Sequence, residues 1–349
     1  MPISSTFRIC ITLTILSLLT TLTKSLEPFS TITAVGAGLG AVGFYQSGMW
    51  DKLKCQTSEC CGSPYWVLNN VTKFEDSFDK HVFGQHIVKE MVSKQLRAHL
   101  RKDSPKKALV LSFHGWTGSG KNYVAKYIAE SLFRKGQRSD FVKYFISTVD
   151  FPDKNNVEIY KVKLQKDIIQ AVKKCPQAMF IFDEVDKMPE TLIDAIKPFI
   201  DYHENVKGVD FRQSIFIFLS NTGGSEINEI ALQAWIEGRQ RESMEYKELE
   251  KLVKMGAFNE FGGLHHSAVI GQHLIDRYIP FLPMERHHVA KCVIAEIAKK
   301  NSKIEFRKDD IDAILDELYF QPKNYLLYSA SGCKTIPAKV NYMFEIKME

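Results

Sequence analysis

The stretch ALVLSFHGWTGSGKN, Ala108 to Asn122, decides the fold. An apolar run that ends in glycine is how a strand buried on both faces reads. Gly115 to Lys121 then spells G-x-x-x-x-G-K. From Asn122 to Arg134, Val124, Tyr127, Ile128, Ser131 and Leu132 recur at helical spacing. A glycine-rich turn between a buried strand and a helix lets main-chain N–H groups curl around phosphates. The lysine reaches the β- and γ-oxygens, and the helix N-terminus adds its positive end. The expected ligand is ATP, cradled by Gly115, Trp116, Thr117, Gly118, Ser119, Gly120, Lys121, Asn122 and Tyr123, with Mg2+ beside it. The position after the lysine usually carries a Ser or Thr hydroxyl for magnesium. Asn122 stands there instead, and its carboxamide oxygen can ligate a hard cation with a different reach and angle.

Outward from this loop, strand and helix patterns alternate. Phe141–Phe151, Ala178–Glu184, Ser214–Asn221 and Leu274–Pro283 read as further strands. Val157–Lys174, Thr191–His203 and Glu226–Met255 read as helices. Alternation of this kind forces parallel pairing with right-handed crossovers, so the class is α/β, a parallel sheet flanked by helices. After Pro283 the pattern changes to helices at Glu285–Lys300 and Asp309–Phe320, with a tail from Ser331 that reads as a short strand. The expected division is a large α/β domain over 76–283 and a small helical domain over 284–349.

Met179 to Phe182 are hydrophobic and lead into Asp183-Glu184. An acidic pair at a strand end is often only a solvated cap. Beside a phosphate loop it becomes a Walker B pair, in which Asp183 holds magnesium through water and Glu184 polarises the attacking water. Asn221 ends the next strand on the same rim, where a carboxamide can orient that water. The plain alternative for Asn221 is a turn residue before Gly223-Gly224.

The N-terminus and the cysteines bear on compartment. Arg8 precedes an apolar run from Ile9 to Leu22, and Thr23 and Ser25 suit cleavage after Ser25, so 1–25 reads as a signal peptide. Phe29–Tyr45, within 26–50, is apolar, uncharged and glycine-rich, and it falls short of the roughly 20 residues of a spanning helix. It reads as a segment that lies in one leaflet of a membrane. A link over 51–75 carries Cys55, Cys60 and Cys61, which fit disulfides better than zinc. With Cys175, Cys292 and Cys333 they leave the connectivity open. Asn70-Val71-Thr72 is a glycosylation sequon that counts only in a lumenal chain. The net charge of +5 is spread out, with no basic patch interleaved with aromatics, so nothing favours nucleic acid as a partner.

A phosphate loop, a D-E Walker B pair, a polar residue ending the following strand and a helical C-terminal part together resemble an AAA+ ATPase of the Clp-related type. The signal sequence with its hydrophobic lead-in, GWTGSGKN, FIFDEVDKM (180–188) and SGCKT (Ser331–Thr335) resemble torsins, AAA+ proteins of the endoplasmic reticulum lumen and nuclear envelope. That resemblance, from about Cys55 onward, implies that Lys334 senses the γ-phosphate from the small domain. It implies a Cys292–Cys333 disulfide that ties nucleotide sensing to redox state, and a Cys55–Cys175 pair. It also implies a missing arginine, borrowed from the lumenal domain of a type II membrane activator, and assembly into homo-oligomeric rings or helices. Arg239, Arg241 and Arg277 lie in no recognisable arginine-finger context and read as solvated or structural. No aromatic-glycine pore loop follows Phe151. Two functions follow: an activator-dependent ATPase that remodels proteins or membranes, or a nucleotide-dependent binding switch with incidental hydrolysis.

Overall fold

The computed structural model describes residues 55–101, 104–300 and 304–348. The expected signal peptide and the segment Phe29–Tyr45 lie outside the described residues. Residues 60–349 form one compact unit, preceded by a helical turn at 55–57.

Its sheet is built from β1 (Leu109–Gly115), β2 (Val142–Ile146), β3 (Met179–Asp183), β4 (Ile215–Ser220) and β5 (Arg277–Phe281). The strands are parallel in the order β2-β3-β4-β1-β5. Every residue of β1 and β4 is buried, because each strand pairs on both edges and is covered on both faces. Helices α1 (Val71–His81), α2 (His86–Leu100), α3 (Lys121–Leu132) and α4 (Val157–Lys174) come from the first half of the chain. Helices α5 (Gly224–Ile236) and α6 (Tyr246–Asn259) follow β4. One core packs against Phe180, Phe182, Phe216 and Phe218, and the other against Met179, Ile181, Ile215 and Ile217. Odd and even positions of β3 and β4 thus feed opposite cores, as a two-residue side-chain period requires. Rings stack in rows across the sheet: Phe180 on Phe216 with centroids 4.7 Å apart, and Phe145 on Phe182 at 5.0 Å.

After β5 the chain builds a third core from Met284, Val289, Val293, Ile314, Leu315, Ile336, Val340 and Phe344. It joins α7 (Arg286–Lys299), α8 (Lys308–Asp316) and α9 (Ile336–Met348), with a small hairpin of β6 (Phe320–Gln321) and β7 (Tyr328–Ser329). The tail is therefore a helix and not a short strand. Ile336, Val340 and Phe344 recur every four residues, a helical period, and all three are buried.

Other elements differ in extent. The strand expected over Phe141–Phe151 stops at Ile146, whose N–H donates to Asp150 Oδ2 (2.7 Å) as Ser147–Asp150 makes a helical turn. The single helix expected over Glu226–Met255 is two. Gly238 has φ 73°, and Glu245 with Glu248 forms a capping box that restarts the chain as α6. Thr191–His203 yields only one 3₁₀ turn and the four-residue helix Lys197–Ile200, with Pro198 at its start. Helix α1 runs across position 75, so the expected link is shorter than 51–75. Asn70 caps this helix, its Oδ1 accepting from Lys73 N at 3.0 Å.

Cys175 is joined to Cys61, with Cα atoms 5.2 Å apart, and not to Cys55 as the resemblance implied. Only a Cα separation of about 4.4–6.8 Å admits the bridge, and it is Cys61 that reaches the buried C-cap of α4. Cys292 on α7 is joined to Cys333, before α9, with Cα atoms 6.2 Å apart. Among the described residues no helix is long and apolar enough to cross a membrane.

Replacing Phe180 with Ala removes a fully buried ring from the aromatic row. The expected cost is about 3–5 kcal/mol of unfolding free energy in a denaturant melt. Tyr319→Ala, at a position 86% exposed, should stay within about 0.5 kcal/mol.

Candidate nucleotide site

The carboxyl ends of β1, β3 and β4 lie side by side, which places Gly115, Asp183 and Asn221 on one rim. This is where a parallel α/β sheet presents its ligand crevice. A cavity of about 310 Å³ opens there, roofed by α7 and the start of α9. Thr117 to Tyr123, Asp183, Glu184 and Asn221 line one side, and Lys334 lines the other. His81, Val82, Phe83, Met284, Ile336 and Pro337 make its apolar end. Two buried polar atoms of lining residues, Ser119 Oγ and His81 Nδ1, have no hydrogen-bond partner among the described residues.

Lys121 Nζ donates to Gly115 O (2.6 Å), Trp116 O (3.1 Å) and Asn221 Oδ1 (3.0 Å). All three acceptors are neutral. Burial, opposed by Asp186 and Asp183 and aided by Lys334, pulls the ammonium down to about 8. Such a group is poised to regain its charge beside an anion. Asn221 is held by two partners: its Oδ1 faces Lys121, and its main-chain N–H donates to Asp186 Oδ1 at 3.1 Å.

Beneath this layer the turn after Asn221 is fixed by His114, which is fully buried on β1. His114 Nδ1 lies 3.1 Å from Thr222 O, a carbonyl that can only accept, so Nδ1 carries the proton. Nε2 then accepts from Ser112 Oγ at 2.6 Å. Burial takes this imidazole down to about 4 and keeps it neutral.

The acidic pair is engaged as well. Asp183 Oδ2 accepts from Asn122 Nδ2 and from the Tyr144 hydroxyl, both at 2.7 Å, and its Oδ1 accepts from Glu184 N at 2.9 Å. A carboxylate only accepts, so Asn122 presents its amino group here and turns its carboxamide oxygen away. Burial, then the hydrogen bond to Asp183, holds the Tyr144 proton far above the usual phenol range. Glu184 Oε2 accepts from Thr148 Oγ1 at 2.7 Å. Glu184 also has φ 55°, a left-handed backbone that costs a non-glycine residue about 1–3 kcal/mol and gathers at functional sites.

The small domain touches the phosphate loop directly. Cys333 N donates to Gly118 O at 3.2 Å, and Trp116 Nε1 donates to Ala330 O at 2.8 Å. Gly118 (φ 73°) and Gly332 (φ 54°) face each other without side chains. A Cβ on Gly118 would meet Ser331 O at 1.8 Å, and one on Gly332 would meet Gly118 O at 2.3 Å. Lys334 thereby directly follows the residue that makes main-chain contact with the loop. Gln85 adds a second tie: its Nε2 donates to Ser119 O (3.1 Å) and Leu282 O (2.8 Å), and its Oε1 accepts from Leu282 N (2.9 Å).

Thr117 to Tyr123, Asp183, Glu184, Asn221 and Lys334 come together at this cavity, while Gly115 and Trp116 are not among its lining residues. Asn70, exposed at the start of α1, is not among its lining residues. Reading the sequence missed Tyr144, Thr148, Asp186, Gln85 and the apolar end at His81–Phe83. Asp186 had a signal in its place just after the acidic pair, and Gln85 in the Gly84-Gln85 step that opens α2. Tyr144 and Thr148 had none. The three arginines are structural: Arg239 pairs with Glu248 (2.8 Å), the buried Arg241 with Glu285 (3.1 Å) and Gly84 O, and Arg277 donates to Asp276 O.

Comparison with known proteins agrees with this geometry. A family profile described as Torsin matches residues 55–182, and one described as Torsin-1A, C-terminal domain, matches residues 284–343. A Torsin-like protein of Caenorhabditis elegans is 43% identical over 336 residues, covering 96% of this chain and 92% of that one. A Torsin-like protein of Drosophila melanogaster is 36% identical over 328 residues, covering 93% and 95%. Among solved structures, the ADP complex of S. cerevisiae Hsp104 superposes with a TM-score of 0.55 at 17% identity over 79% of this chain. A closed state of Hsp104 with ATPγS and casein gives 0.53, also at 17% identity. This chain spans 46% of each Hsp104 chain, and the likeness carries the AAA+ fold alone. The fold is that of an AAA+ nucleotide-binding protein, and the chain belongs to the torsin family.

Proposed function

We propose that this chain is an ATPase completed by a partner, and that it works on proteins or membranes of the endoplasmic reticulum lumen and nuclear envelope. The observation that carries the reading is the convergence of Lys121, Asp183, Glu184, Asn221 and Lys334 on one cavity. Phosphates fit the loop, where Ser119 Oγ waits for a partner and two lysines supply positive charge. The apolar end at Val82, Phe83, Met284 and Ile336 suits a base.

The oxygens at hand suit magnesium, a hard cation. Asp183 would hold it through water, with Asn122 turning its carboxamide to offer oxygen. Bound there, the ion would supply positive charge against the charge that develops on the phosphates. Glu184 is the base for the attacking water once it leaves Thr148, and Asn221, fixed by Lys121 and Asp186, orients that water. Lys334 contacts the γ-phosphate from the small domain. Cys333, joined to Cys292 on α7, directly precedes Lys334, so the redox state of the bridge bears on how Lys334 is placed.

Arg239, Arg241 and Arg277 are all occupied, so the transition-state arginine comes from outside: the lumenal domain of a type II membrane activator. Such an arginine is worth about 10³–10⁵ in rate. Homo-oligomeric assembly, membrane contact through Phe29–Tyr45 and a glycan on Asn70 complete the reading. A glycan on Asn70 Nδ2 leaves Oδ1 free to keep capping α1. Asn122 bound to Asp183 also favours a second reading, a nucleotide switch in which turnover is incidental.

Three outcomes follow. Steady-state ATP hydrolysis should be slow alone and rise at least tenfold with the activator's lumenal domain, and Glu184→Gln should abolish the rise while ATP still binds. No stimulation, or stimulation that survives the substitution, would sink the ATPase reading and leave the switch. Since Lys121 must be charged to hold phosphate, ATP affinity should fall as pH rises through about 8. Calorimetry in buffers of different ionisation enthalpy should then register proton uptake on binding, and a flat profile would count against the lysine's role. Deleting Phe29–Tyr45 should release the chain from membranes in a carbonate wash. Retention would place the anchor elsewhere.

A further inference from the structure

We propose that Tyr144 competes with magnesium for Asp183, so that the phenol's hydrogen bond raises the cation concentration the nucleotide site needs. The inference rests on the ATP reading above and assigns a role to a residue outside the phosphate loop and the acidic pair.

Each carboxylate oxygen has two lone pairs, about four sites in all. On Asp183 Oδ2 both are taken, one by the Tyr144 hydroxyl and one by Asn122 Nδ2, each at 2.7 Å. Oδ1 accepts the main-chain N–H of Glu184. The main chain of Asp183 is held as well, since Ser147 Oγ donates to its carbonyl at 2.8 Å. Asp183 is thus close to saturated with donors, although its task calls for free lone pairs.

The two side-chain donors differ in what they can become. Asn122 can turn its carboxamide and offer oxygen to a cation, changing from competitor to ligand. The Tyr144 hydroxyl, by donating to Oδ2, occupies a lone pair that the cation's water shell would otherwise use. Space for the phenol to move aside exists. Tyr144 lines a second cavity of about 440 Å³, with Asn122, Tyr123, Lys126 and Gln137. Asn122 Nδ2 also lies 3.3 Å from the Tyr144 oxygen, so the two donors touch each other as well as Asp183. Edge strand β2 therefore sets how readily metal enters a site built on β1 and β3.

The test uses the whole chain and a fluorescent ATP analogue. Magnesium is titrated from an EDTA-buffered start, and bound analogue is followed by anisotropy. Tyr144→Phe keeps the ring and removes only the hydroxyl. The Mg2+ concentration at half-maximal binding should fall about tenfold, the lower end of the scale of one hydrogen bond to a charged group. Tyr144→Leu, which also lacks the hydroxyl, should shift it in the same direction. A midpoint that is unchanged in both variants, or that rises, overturns the proposal, and a rise would make Tyr144 a support of the metal's water shell. Analogue that binds neither wild type nor variant at any Mg2+ concentration overturns the ATP reading itself.

Discussion

Everything at this site depends on β1 being held between two parallel neighbours. Its edges pair with β4 and β5 and its faces meet separate cores, so the strand cannot shift in register or tilt. The chain leaves it at Gly115 with no freedom except in the glycine-rich turn. That fixed exit point sets where the phosphate loop curls. Parallel pairing then brings the ends of β3 and β4, with Asp183 and Asn221, to the same edge. A rim of polar residues at one edge is the geometric consequence of burying five short strands in parallel.

Polar groups set into this apolar frame are satisfied in layers. His114 and Thr222 secure the turn below, Asn221 and Lys121 meet above it, and Asp186 closes the far side. Each buried donor or acceptor left alone would cost about 1–3 kcal/mol, so the network specifies one arrangement of the rim. Ser119 Oγ and His81 Nδ1 stand outside it, at the cavity.

The small domain enters through main chain as well as side chain. Gly118 and Gly332 meet where no Cβ fits, and Cys333 donates to the loop itself. A displacement of the small domain must break this contact, so phosphate-loop geometry and small-domain position are one variable. The Cys292–Cys333 bridge lies within the small domain and ties the segment that makes this contact to α7.

The sequence by itself determined the frame. Period and composition marked the strands around Gly115 and Asp183, and the glycine spacing marked the phosphate loop. These signals are local, and burial on both faces writes itself as an unbroken apolar run. The extent of β2, the helix at Ile336–Met348 and the choice of Cys61 over Cys55 were illegible for the opposite reason: each depends on what lies across the gap. Tertiary structure alone decided that Tyr144 and Asn122 meet on Asp183, that Thr148 holds Glu184, and that two glycines lock the domains together. Side chains far apart in sequence carry no mutual spacing to read, and only the register of the sheet puts them within hydrogen-bond reach.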